Sequence, residues 1–221
     1  MAGPHENLEH AEHAQHAGHA GGRDNKKIAL VISVLALFLA FSETFGKSAQ
    51  TAALNFQIEA SNLWNFFQAK NIRRTAIIVA ADAAKIELAA ATDEAKKAAI
   101  AKQIDTWTKT AERYRSEPEA GGGKGEGTVE LSRRALEMEK ARDLQLNKYH
   151  NFEFASAAFQ IGIVLCSAAV ITNIVGLALA AVGVGIVGVV LMGFGFAAPD
   201  LLHNVMHWFE ALFAGGGGAH H

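Results

Sequence analysis

An apolar tract near the C-terminus constrains this chain more than any other feature. From Phe154 to Phe196 the sequence FASAAFQIGIVLCSAAVITNIVGLALAAVGVGIVGVVLMGFGF holds no Asp, Glu, Lys, Arg or His. One helical membrane crossing needs roughly 20 apolar residues, so the tract is long enough for two. Asn173, beside Thr172 and followed by Gly176, is the natural turn. Spans are therefore expected at 152–173 and 174–196. A soluble-core hairpin of this length is the competing reading, but it would keep a polar face somewhere. Cys166 is the only cysteine and sits inside the tract, so no internal disulfide forms.

A second apolar run, IALVISVLALFLAF from Ile28 to Phe41, follows Arg23, Lys26 and Lys27. Its core of about 14 residues, with small residues at Ala40–Ser42, also fits a cleavable signal peptide. The long polar head before it and the continuation through Ser42–Phe45 favour a retained span over residues 28–46. The prolines number three, at positions 4, 118 and 199, and strong helix formers fill the stretches between them. The expected fold is all-α: an integral membrane protein with three transmembrane helices and a helical, coiled-coil stalk between the first and second spans. A formal charge of −2 gives no footprint for nucleic acid.

The stalk, residues 47–151, carries heptad seams. Ala49, Ala53, Phe56, Ala60, Leu63 and Phe67 alternate by four and three, as a coiled-coil core requires. The pattern resumes at Ile77, Ala81, Ala84 and Leu88, and again at Ile100, Ile104, Trp107, Ala111 and Tyr114. Between these two, Thr92 followed by Asp93 and Glu94 reads as an N-cap with an acidic first turn, so one helix ends and another begins there. Residues 116–128, SEPEAGGGKGEGT, form a linker. A rise of roughly 66 Å from Ser48 to Ala91 is balanced by two descents of roughly 35 Å each, which returns the chain to the bilayer.

The stretch Glu59–Arg74, EASNLWNFFQAKNIRR, resembles the signature of a bacterial membrane family catalogued as domain of unknown function 4337. A His/Ala-rich head, a first span, this Trp-aromatic-Gln-Ala-Lys-x-Ile helix and a closing pair of spans are all present. The resemblance implies an integral membrane protein and supplies no activity. Trp64, Phe67 and Gln68 are candidates for an interaction site, against the plainer reading that the aromatics pack the stalk. Lys70 and Arg73, with Arg74, either form a solvated face or reach anionic groups.

The third span is rich in glycine. Gly176/Ala180 and Ala181/Gly185 are small pairs four residues apart, which let helix backbones approach closely. They fit a homo-oligomer interface, including one that surrounds a pore, and equally fit packing on the protein's own second span. Two histidine groups are candidates for a divalent metal. His10, His13, His16 and His19 recur every third residue in the head, residues 1–27, which is expected to be mobile. His203 and His207 lie one turn apart on a helix expected over 199–213. That helix also reads as lying in the membrane interface, with Trp208 at headgroup level, before a flexible tail at 214–221.

Basic residues near the spans put the stalk on the cytoplasmic side of the inner membrane: Lys47, Arg133, Arg134, Lys140, Arg142 and Lys148 lie on its side. No phosphate loop, zinc-protease motif or dinucleotide fingerprint is present. The expected function is a non-enzymatic membrane scaffold or accessory subunit. Its partners are the bilayer, further copies of itself and another membrane complex, and no cofactor is required. An oligomeric pore and metal binding or sensing are the alternatives.

Overall fold

The structure, a computed structural model, describes residues 23–118 and 125–201. Its helices are α1 (Arg23–Ala90), α2 (Glu94–Arg115), α3 (Thr128–Thr172) and α4 (Val175–Ala197), with no strand among the described residues. Three of them, α1, α3 and α4, are long and apolar enough to cross a membrane. Pro199–Leu201 resume helical backbone. The described chain divides into two compact units, residues 54–142 and the residues on either side of them.

The first unit is a three-helix bundle formed by the start of α1, the end of α3 and α4, in which α3 runs antiparallel to the other two. Ile32, Leu35 and Leu39 of α1 meet Ala155, Phe159, Ile163 and Cys166 of α3 and Ala181 of α4 in a single core. Phe38 stacks on Phe159 with centroids 5.8 Å apart. Nearer the stalk end, Phe45, Phe152 and Phe196 form a mutual cluster at 5.0–5.8 Å. The Ser42 hydroxyl is fully buried and donates to the Phe152 carbonyl at 2.8 Å. Outward, the bundle shows Leu30, Val34, Leu37, Ile161, Val164, Leu179 and Ile186. Large aliphatic groups on the outer surface as well as in the core differ from a water-soluble bundle and suit a hydrocarbon surround.

The α3–α4 turn is at Asn173, whose backbone takes φ 55°. This left-handed conformation is one that asparagine tolerates better than most residues. At the other end of the hairpin, Asn151 Nδ2 donates to the Pro199 carbonyl at 3.0 Å and Asn147 to Asp200 at 2.9 Å.

The second unit is two helices thick. The distal half of α1 is covered by α2 and its proximal half by α3, both running antiparallel to it. Lys96 meets Glu87 across the α1–α2 turn at 2.9 Å, and Tyr114 comes back to Lys70. Below that level, Leu63 packs with Leu131 and Ala135, and Arg142 donates to Gln57 at 2.6 Å. Within this unit the inner face of α1 follows the expected seam: Ala60, Leu63 and Ala81 are buried. One detail differs. The cap of α2 is Asp93, whose carboxylate accepts from the Ala95 N–H at 3.1 Å, and not Thr92. Aspartate at this position adds a full charge at the positive end of the helix dipole, which a threonine hydroxyl lacks.

Candidate interaction surfaces

Lys70 is the centre of the second unit. It lies on α1 opposite the junction of α2 and α3, and only 9% of its side chain is exposed. Its ammonium pairs with Glu117 at 3.3 Å and Glu126 at 3.7 Å. The Phe66 and Tyr114 rings lie 5.6 and 5.9 Å from it, close enough for cation–π attraction. The expectation of a solvated basic face therefore does not hold for Lys70: it reaches anionic groups, and they belong to its own chain. Arg73, three residues further along α1, is exposed.

The anionic partners are held by a second knot. Glu130, in the first turn of α3, accepts from the Ser116 hydroxyl at 2.7 Å and from the Glu117 N–H at 3.3 Å. The Ser116 hydrogen bond is the main reason its carboxyl is held below the usual glutamate range, and partial burial opposes it. Thr128 donates to the Arg115 carbonyl at 3.2 Å, and the Glu126 N–H to the Glu117 carbonyl at 3.2 Å. At Gly127 a Cβ would stand 2.5 Å from the Glu117 nitrogen, so only glycine lets the two strands of the turn approach this closely. The described ends of the linker are thus fixed to one another and to α1. Nothing in the sequence pattern marks Glu117, Glu126 or Glu130 for this role.

The aromatic motif packs the unit internally. Trp64 donates its indole N–H to Glu139 at 2.8 Å and meets Phe67 edge-on at 5.4 Å. Both are half-buried against the Leu63–Leu131–Ala135 cluster. Gln68 is exposed. Arg74 lines a groove of about 120 Å³ with Ile78, Trp107, Ala111 and Glu112, and its Nε is buried without a hydrogen-bond partner.

In α4 the small residues divide between two faces. Ala181 is fully buried, and Gly185, Gly188 and Gly195 face the bundle. An added Cβ would stand 2.7 Å from a Leu35 methyl at Gly185, 2.7 Å from the Phe159 ring at Gly188 and 2.9 Å from the Phe152 ring at Gly195. These positions seat the chain's own large side chains. Gly176 and Ala180 are exposed, and at Gly183 and Gly193 an added Cβ would meet nothing within 4 Å. The candidate pairs thus separate: Ala181/Gly185 pack within the chain, and Gly176/Ala180 face outward.

The metal candidates His10, His13, His16, His19, His203 and His207 lie outside the described residues. Among the described residues no three His, Cys, Asp or Glu side chains gather as a metal site. A family model described as a domain of unknown function (DUF4337) matches residues 24–198 of the chain. No curated protein and no solved structure matches it.

Proposed function

The chain belongs to the DUF4337 family, and from its own surfaces we propose that it is a non-enzymatic, multi-pass protein of the bacterial inner membrane that self-associates. Its stalk stands in the cytoplasm, where it serves as a scaffold or accessory subunit. The observation that supports this most is the outward small-residue face on α4, formed by Gly176, Ala180 and Gly183. Glycine in a membrane helix forgoes side-chain packing, and the inward glycines recover it by seating Leu35, Phe159 and Phe152. The outward glycines lack such a seated neighbour among the described residues: an added Cβ at Gly183 would meet nothing within 4 Å, and one at Gly176 only an Ile174 methyl at 3.9 Å. Close approach of another helix supplies such a neighbour, as small-residue faces do in membrane helix pairs.

The cytoplasmic placement rests on the basic residues of the stalk flanks. The test is native mass spectrometry of the untagged, full-length protein in detergent, paired with ion flux through liposomes that contain it. A closed oligomer with tight liposomes is the expected result. A monomer overturns self-association, and an oligomer that leaks ions replaces the scaffold with a pore.

A further inference from the structure

The outward face of α1 in the second unit carries a second heptad seam, separate from the one that packs against α2 and α3. Ile58, Asn65, Ile72, Val79 and Ile86 recur every seven residues. Asn62, Ala69, Ala76, Ala83 and Ala90 stand four positions after each. Together they make an unbroken four-three pattern over more than four heptads. All ten are exposed. The four large aliphatic members are 58% (Ile58), 69% (Ile72), 62% (Val79) and 75% (Ile86) exposed. None of the ten is charged, although 19% of the chain is. A solvated helix face has no reason to exclude charge at this strict period, whereas a coiled-coil core does.

We infer that this seam is where a second copy of the chain docks, its α1 lying parallel and in register. The inference rests on the self-association proposed above and identifies its surface in the stalk. Three observations point to a second copy as the occupant. First, every copy in one membrane enters the seam from the same direction, because Ile58 follows the first span on one continuous helix. Parallel pairing is therefore the arrangement that a shared bilayer imposes. Second, the pattern complements itself in that arrangement. From Ala69 to Ala90 alanine layers alternate with isoleucine or valine layers, which brings two backbones within the 8–10 Å of close helix packing. Asn62 falls at the position where a buried asparagine fixes register, since it is best satisfied by the same asparagine of an identical helix. Exposed Gln68 and Arg73 flank the seam five residues apart, the spacing that lets Gln68 of one copy reach Arg73 of the other.

Third, the area suffices. From Ile58 to Ala90 the seam is ~48 Å long, and a strip ~10 Å wide gives ~500 Å² per copy. Two copies then bury ~1,000 Å², where specific interfaces begin.

The test is disulfide trapping in native membranes with the full-length chain. Cys166, the only cysteine, is first replaced by alanine. Val79→Cys and Ile86→Cys are then made separately, with Asn71→Cys as an exposed position off the seam. Mild oxidation is expected to convert most of the Val79→Cys and Ile86→Cys protein to a species of twice the chain mass, and at least fivefold less of Asn71→Cys. Equal trapping at all three positions, or none at the seam positions, overturns the parallel seam. Native mass of the same samples before oxidation separates the two proposals. An oligomer that fails to trap at the seam leaves self-association standing and removes this surface. A monomer removes both. Ile72→Glu, at an exposed position, provides a second reading: the oligomer is expected to fall to monomer with its helical content unchanged, and an unaltered oligomer again removes the seam.

Discussion

Lys70 shows how one side chain ties α1 to α2 and to both ends of the following linker, and the environments of its partners set what each substitution does. Glu117 and Glu126 are 43% and 60% exposed, while the ammonium is nearly sealed. Replacing Lys70 with methionine keeps the stem among Phe66 and Tyr114 and returns two carboxylates to water, a loss of about 1 kcal/mol. The double change Glu117→Gln and Glu126→Gln leaves a buried cation unpaired and is expected to destabilise by about 3 kcal/mol. Urea unfolding followed by far-ultraviolet circular dichroism measures the order, and a larger effect for Lys70→Met would contradict it. Glu130 adds a pH dependence. Its folded pKa is depressed, so its contribution is fully present above the unfolded value near 4.5 and is lost as pH falls through the lowered folded value. Stability should fall on acidification below about pH 5, and Glu130→Gln should be less stable at neutral pH with a flatter acid limb. An unchanged acid limb in Glu130→Gln would assign the dependence to other carboxylates.

At the scale of the element, α4 and α1 each present two faces with different occupants. Gly188→Leu drives a side chain into the fully buried Phe159 and is expected to destabilise the bundle by about 2–3 kcal/mol. Gly183→Leu meets open space, so the bundle's thermal midpoint should stay within a degree or two while the oligomer weakens. Thermal unfolding in detergent and native mass distinguish the two variants. A midpoint lowered equally by both would place Gly183 inside the bundle. The same duality runs along α1, where Ala60, Leu63 and Ala81 serve the intrachain core and Ile72, Val79 and Ile86 face away. A heptad seam in the sequence says that a helix face is coiled-coil-like. It does not say which face the chain itself covers.

For the molecule as a whole, the all-helical secondary structure and the three segments long and apolar enough to cross a membrane were legible from residue order alone. A bilayer excludes unpaired backbone groups and charges, so length and polarity alone pick out α1, α3 and α4 as the helices able to cross one. The turn at Asn173 and the break before Glu94 were equally legible, because local backbone chemistry decides them. The interaction candidates were legible only as residue types. Tertiary structure decided that Trp64 bonds Glu139, that Lys70 bonds Glu117, and that Gly185 faces Leu35 while Gly183 faces outward. The physical reason is distance along the chain: Lys70 and Glu117 are 47 positions apart, and Trp64 and Glu139 are 75. Their meeting depends on where α2 and α3 fold back on α1, and no periodicity within a single helix carries that register.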